Sequence, residues 1–411
     1  MWYRRIPVRT IVKRSVQAFL ATQGITLLAL AVVDWNRKRH RGIANFPRIP
    51  SRSVTAGGSE VTVYTYGEEL YGDMLDAIRQ AKRRVLFETF IWKADEIGQS
   101  FKQALIDAAD RGVGVYVIFD EFANLVVPRS FFHFPAKVHV LRYPLFGGGF
   151  RFLHPRYSGR DHRKLMVVDD DVAFVGGYNI GSLYATDWRD THARLTGDIV
   201  SEMQNAFVDF WNMSAPRAKE LPDPRRRTWT PDIRVHRNIP RQFVYPIRGV
   251  YLDAIDRASR HVWLTHAYLI PDEDMLRTLI RAAKRGVDVR IIVPAQSNHI
   301  VADWLSRGFY GTLLRGRVRL FLYQNAMVHA KTATIDGQWS TIGTANIDRL
   351  SLTGNYEINI EVYNQDVARE LEDVFAVDAG NCIELHLHDW RRRNLMVKFA
   401  ETVLTPLRPL L

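Results

Sequence analysis

The chain repeats itself, and a repeat settles architecture before any single residue is interpreted. Ala77-Ile78 through Val85 resembles Ala254-Ile255 through Val262 at an offset of 177, and Arg111-Gly112-Val113 matches Arg285-Gly286-Val287 at 174. A third block matches at an offset of 167. It sets His162-Arg163-Lys164-Leu165-Met166-Val167-Val168-Asp169 against His329-Ala330-Lys331-Thr332-Ala333-Thr334-Ile335-Asp336, and both read H-x-K-x4-D. Equivalence then continues at 167 with no insertion, pairing Gly176 with Gly343, Asn179 with Asn346 and Asp190 with Glu357.

Each half carries unbroken apolar runs alternating with amphipathic stretches. In the first these are strand 85–92, helix 101–111 and strand 115–119; in the second, strand 262–269, helix 274–285 and strand 289–293. Apolar strands alternating with helices require sheets covered on both faces, so the class is α/β. The expected organisation is an N-terminal segment 1–52, a first unit 53–212, a linker 213–231, a second unit 232–380 and a basic, apolar tail 381–411. The linker holds Pro216, Pro222, Pro224, Pro231 and the run Arg225-Arg226-Arg227, a composition suited to a surface crossing.

On a strand, residues i and i+2 share a side, so His162 can face one site with Lys164, and His329 with Lys331. Asp169 has the opposite parity and opens a turn with Asp170 and Asp171, as Asp336-Gly337 does in the second half. These two carboxylates are therefore expected to brace the motif rather than touch substrate. Gly176 and Gly343 follow a second short strand, where a glycine lets backbone approach a ligand and Asn179 and Asn346 can donate to a phosphate oxygen. Two histidines and two lysines meeting across a pseudo-twofold axis offer a nucleophile, an acid and a cationic cradle for one tetrahedral anion. That is phosphoryl chemistry. With one cysteine, Cys382, and no H-x-x-x-H pattern, the sequence points to no metal and no cofactor.

The net charge of +12 is unevenly placed. Residues 1–52 hold eleven of the 56 Lys and Arg and a single acid, Asp34, so the rest of the chain is nearly neutral. A near-neutral body disfavours a nucleic-acid partner. Between the basic clusters, residues 16–33 are uncharged, about 27 Å of helix against a hydrocarbon layer of about 30 Å. Ser15, Thr22, Gln23 and Thr26 give that helix one polar side. Membrane attachment is expected, by spanning or by lying at the interface; a secretory signal ending at Ala29-Leu30-Ala31 and a helix packed on the body are the competing readings. Basic residues beside it favour an anionic lipid surface.

The paired motifs, with Glu88-Thr89-Phe90-Ile91-Trp92, Tyr143 to Gly147, Trp188-Arg189-Asp190-Thr191-His192, Ser351-Leu352 and Asn355-Tyr356-Glu357, resemble the phospholipase D superfamily and most of all its bacterial cardiolipin synthase branch. The resemblance covers residues 61–377 and implies two phospholipase D-like α/β sandwich domains meeting at one active site. It implies a phosphatidyltransferase that joins two phosphatidylglycerols into cardiolipin with release of glycerol, at the bacterial inner membrane. His162 becomes the nucleophile and His329 the general acid and base, although the pseudo-symmetry allows the reverse. Lys164, Lys331, Asn179 and Asn346 would hold the phosphoryl oxygens, and Asp190 and Glu357 would orient the motif histidines. The shorter arm of Asp190 leaves room for a second reading, a surface acid paired with Arg189. Phe146, Phe150, Phe152, Trp304 and Phe309 are candidates for an acyl entrance or for ordinary core. Competing functions are phospholipid hydrolysis or headgroup exchange, a nuclease of the superfamily, and a lipid-binding module without catalysis.

Overall fold

The structure, a computed structural model, describes residues 8–39, 44–145, 155–222 and 232–406. The first half forms β1 (Arg52–Ala56), β2 (Ser59–Tyr64), β3 (Arg84–Thr89), β4 (Gly114–Asp120), β5 (Val138–Tyr143), β6 (Leu165–Val168) and β7 (Val172–Gly176). A short β8 (Trp188–Arg189) then leaves the sheet and β9 (His192–Gly197) returns to it. The second half forms β10 (Ile233–Asn238), β11 (His261–His266), β12 (Leu269–Ile270), β13 (Asp288–Pro294), β14 (Arg319–Tyr323), β15 (Met327–Val328), β16 (Lys331–Ile335), β17 (Trp339–Gly343), β18 (Ile347–Asp348), β19 (Glu357–Tyr363) and β20 (Cys382–Leu385).

Two eight-stranded sheets result, ordered β1-β2-β9-β7-β6-β3-β4-β5 and β10-β19-β17-β16-β11-β13-β14-β20. Seven strands correspond one to one, and the duplication is structural. The halves differ at opposite edges, where β1 adds beside β2 and β20 adds beside β14. β20 carries the second sheet past residue 380, into the segment that the sequence assigns to a tail.

The repeated Arg-Gly-Val triplets are helix stops. The helix Glu96–Asp110 begins at Asp95, whose side chain accepts from the Gly98 amide at 3.0 Å; Glu273–Lys284 begins at Asp272, which accepts from the Met275 amide at 2.9 Å. Each ends at a glycine in left-handed backbone, Gly112 at φ 88 and Gly286 at φ 99, a geometry that turns the chain directly into the parallel neighbour strand.

Strand residues alternate between two cores. Val85 and Phe87 face outward under Leu70, Tyr71, Phe101 and Leu105, while Leu86 faces inward with Val167, Val175, Phe207 and Trp211. That inner core is shared with Ile342, Ile358, Ile360 and Leu371 of the second half, so the two sheets are joined through apolar contact. Burying a side chain of this size contributes about 1.5–3 kcal/mol.

The N-terminal helix runs over Val8–Arg39, and its stretch Lys13–Arg37 is long and apolar enough to cross a membrane. Of its polar side, Gln23 is turned to the protein, Thr22 and Thr26 are half-buried and Ser15 is exposed. Gln23 is buried and donates to the Val403 carbonyl of the helix Leu395–Leu404, and Leu30 packs with Ile300, Leu305 and Leu404. Ile25, Leu28, Val32 and Trp35 are exposed on the other side, and Phe19 and Leu20 are exposed nearer the N-terminus. Packing on the body and presenting an exposed apolar face are thus properties of one helix. The arginine run 225–227 of the linker lies outside the described residues.

Both motif aspartates close β-hairpins. Asp169 sits in left-handed backbone at φ 54 and Asp336 at φ 56. The Asp169 carboxylate accepts from the amides of Lys82, Arg83 and Arg84 at 2.7, 2.7 and 2.9 Å, and Asp336 accepts from those of Ser259, Arg260 and His261 at 2.7, 2.8 and 2.8 Å. Burial pushes each carboxyl upward, and the three amides more than offset it, so both are held below the usual carboxylate range. A depressed folded-state pKa contributes stability above about pH 4 that is lost as pH falls through the folded value. Asp169→Asn and Asp336→Asn are each expected to cost about 1–3 kcal/mol. Calorimetry in detergent at pH 7 should show a Tm lowered by several degrees, with the gap to the parent closing in acid. Parent-like melting at pH 7 would remove the bracing role.

Candidate functional site

The site is assembled by backbone pairing between the halves. β8 of the first half runs parallel to β15 of the second, with Trp188 opposite Met327 and Arg189 opposite Val328, and the His329 amide donates to the Arg189 carbonyl at 2.7 Å. The symmetry mate is a bridge between Asp161 and Tyr356, where the His162 amide donates to the Tyr356 carbonyl at 3.1 Å and the Tyr356 amide to the Arg160 carbonyl at 2.9 Å. One residue further along each pairing lie an acid and a histidine. His329 Nδ1 is 2.6 Å from Asp190 Oδ2, and His162 Nδ1 is 3.0 Å from both Glu357 oxygens. Each half therefore supplies the carboxylate that meets the other half's histidine. We assign a proton to each Nδ1, which leaves Nε2 as the free ring nitrogen.

Asp190 is not a surface acid. It is buried, and Arg189 instead makes a bidentate pair with Asp378 at 3.0 and 2.7 Å. The Asp-for-Glu difference has a compensating neighbour at the same offset. A Cβ on Gly177 would fall 2.0 Å from Asp190 Oδ1, whereas at the equivalent position the Thr344 hydroxyl bonds Glu357 Oε2 at 2.5 Å.

His162, His329, Asn179 and Asn346 line one cavity of about 760 Å³. Lys164 and Lys331 lie behind its wall, buried, each Nζ donating to the carbonyl of its own motif histidine, at 2.6 Å for Lys164. Asn179 Oδ1 accepts from the Ile91 amide at 3.1 Å, which turns its NH2 toward the cavity. Asn346 Oδ1 is buried without a partner among the described residues. Asp169 and Asp336 sit at the far ends of β6 and β16, away from the cavity. The glycines do something other than approach a ligand. A Cβ on Gly176 would meet His192 Cα at 2.6 Å and one on Gly343 would meet Asn359 Oδ1 at 2.2 Å, so both make room for the neighbouring strand.

Aromatic rings fix the imidazoles. Phe90 meets His162 edge-on at 4.7 Å and Trp188 packs on His329 at 4.9 Å. Ile270, Val301, Ala302 and Leu350 make much of the remaining wall apolar. Sequence reasoning missed these, together with Tyr268 and Asp348, since isolated aliphatic and aromatic positions carry no local signal. Trp304 and Phe309 are not on the wall; they pack beside Leu30, Ile300 and Leu404. Phe146, Phe150 and Phe152 lie outside the described residues.

Burial depresses both motif lysines and both motif histidines. It lowers Lys164 to about 7 and Lys331 to about 8, although Glu357 and Asp190 oppose the fall. Burial, then Lys331, brings His329 to about 4 against the pull of Asp190; burial and both lysines hold His162 well below the ordinary imidazole range. Burial pushes Glu357 well up, whereas Lys331 and His329 keep Asp190 ionised despite burial. Burial thus disfavours the charged imidazoles, one backed by a carboxyl held well above the usual range and the other by a carboxyl held below it. Among the described residues no three His, Cys, Asp or Glu side chains converge to hold a metal ion.

A family profile described as cardiolipin synthase, PLD-like domain, matches residues 74–211 and 251–379. A cardiolipin synthase of Listeria monocytogenes is 30% identical over 390 residues, covering 92% of this chain and 81% of that one. One from Clostridium perfringens is 28% identical over 372 residues, covering 86% and 77%. Among solved structures, the phosphatidylserine synthase of Haemophilus influenzae superposes with a TM-score of 0.65 at 15% identity, over 88% of this chain and 94% of that one, a likeness of fold. The resemblance seen in the paired motifs is borne out over nearly the whole chain, which belongs to the cardiolipin synthase family of phospholipase D-like proteins.

Proposed function

We propose that the chain joins two phosphatidylglycerols into cardiolipin and glycerol through a phosphatidyl-histidine, at the inner membrane of a bacterial cell. The observation that carries this reading is the pair of crossed histidine–carboxylate contacts opening on one cavity. His162, neutral and with Nε2 free, suits attack on phosphorus. The P–O bond to the departing glycerol breaks as His329 gives that oxygen its proton. His329 then takes the proton of a hydroxyl on the second phosphatidylglycerol, whose oxygen displaces His162 from phosphorus. Asp190, ionised at 2.6 Å from His329, supports the role of acid and base because it stabilises an imidazolium, as a carboxylate does in a hydrolase triad. An entering phosphodiester anion offsets the repulsion from Lys164 and Lys331, which raises His329 toward protonation when it is needed.

Asn179 and Asn346 line the cavity, which supports a role for them in contacting non-bridging oxygens, with the lysine charges behind the wall. The exposed apolar face of the N-terminal helix and its flanking basic residues suit a substrate that stays in an anionic membrane.

Purified protein given labelled phosphatidylglycerol vesicles should yield cardiolipin plus glycerol. Phosphatidic acid as sole product would move the reading to hydrolysis. His162→Ala should abolish both product and covalent adduct. Asp190→Asn should lower kcat by about 10²–10⁴, and by more than Glu357→Gln, because Asp190 backs the histidine that moves protons and its carboxyl is held below the usual range. The reverse ranking would exchange the roles of the two histidines.

Lysine charge in the free enzyme is present below the folded pKa values of about 7 and about 8 and is lost as pH rises through them. Since that charge attracts the diester, kcat/KM should fall on the alkaline side from about pH 7 upward. A profile flat to pH 10 would show that the lysines carry no binding role.

A further inference from the structure

A second cavity lies away from the catalytic one, between the C-terminal end of the helix Ile300–Arg315 and the segment 387–398. It has a volume of about 220 Å³ and is lined by Arg315, Arg391, Arg393 and Lys398, with Gly311 and Trp390 at its floor. Among the described residues, Arg393 alone of these four has a carboxylate partner, Glu401. Arg315 bonds the Thr312 hydroxyl at 3.1 Å, Lys398 the Arg391 carbonyl at 2.8 Å, and Arg391 pairs with no acid among the described residues. Among the described residues three cations thus line one cavity without a carboxylate partner, an arrangement that repels itself until an anion enters.

The floor is built to leave room. Trp390 is buried, with the Arg393 guanidinium stacked 3.9 Å from its ring. Its indole Nε1 has no acceptor among the described residues, and a Cβ on Gly311 would meet that nitrogen at 3.1 Å and Arg315 Nη1 at 3.4 Å. Glycine at 311 therefore keeps open a space faced by an indole N–H and a guanidinium, both donors. The same helices hold the membrane-associating element: Gln23 bonds the Val403 carbonyl, and Leu30 packs with Leu305 and Leu404.

From this cavity we infer a second anion site, outside the catalytic cleft, that binds the phosphate of an anionic phospholipid headgroup and so seats the body on the membrane beside the N-terminal helix. It takes a phosphate oxygen set by charge-assisted hydrogen bonds from Arg315, Arg391 and Lys398, with the indole N–H as a fourth donor. No chemistry occurs there, and the site does not depend on which reaction the catalytic cleft performs.

The test is native mass spectrometry of the full chain released from micelles containing phosphatidylglycerol, in a His162→Ala background so that no lipid is consumed. The protein should retain one more phosphatidylglycerol than the variant Arg315→Ala/Arg391→Ala/Lys398→Ala, whose apparent affinity should fall by at least about tenfold, the equivalent of one or two lost charge-assisted contacts. Gly311→Leu, which fills the cavity and keeps every charge, should lose the same lipid, and phosphatidylcholine should not replace it. Each variant is compared at matched Tm, and Lys398→Arg should retain binding. Displacement of the lipid by millimolar inorganic phosphate would assign the site to free phosphate and overturn the headgroup reading. Equal lipid counts in all variants would overturn the site itself.

Discussion

Two short stretches of backbone pairing between the halves hold the chemistry in place. Arg189 with Val328 and Asp161 with Tyr356 are symmetric contacts, and each sets a histidine amide on a carbonyl of the opposite half. A β-pairing has a fixed register, so once these residues are opposed the next ones along, Asp190 with His329 and His162 with Glu357, must also face each other. The sheets, their crossover helices and the shared core of Leu86, Val167, Ile342 and Ile358 serve to present those pairings at the right separation. A slip of one residue would turn an acid away from its histidine.

Near identity of the halves conceals a division of charge. One imidazole is backed by a carboxyl that Lys331 and the contact with His329 hold below its usual range despite burial, the other by a carboxyl that burial pushes well above it. The steric cause is visible in the pair at offset 167: nothing but hydrogen at position 177 leaves room for Asp190, while a hydroxyl at 344 engages the longer Glu357. Asymmetry of this kind suits a reaction in which one group attacks and the other moves protons.

The α/β class, the duplication and the histidine–lysine pairs were legible because they rest on period two and on self-similarity, both local in sequence. Which acid meets which histidine was not, because the partners are 139 and 195 residues apart and are joined by tertiary pairing. Gly176 and Gly343 were located correctly but read as ligand approaches, since a missing Cβ does not say what occupies its place. The polar side of the N-terminal helix posed the same problem. Gln23 and its neighbours mark a polar side in the sequence, and only the fold shows that Gln23 meets the helix Leu395–Leu404.

Crossed delivery of the carboxylates has a consequence for descent. A solitary ancestral unit would have held a histidine and an acid that could never reach one another, so it could have worked only as two identical copies docked about a twofold axis, each completing its twin. Fusion made that encounter obligatory within a single polypeptide and released the copies from identity, and the divergence at 177 and 190 against 344 and 357 is the trace of that freedom.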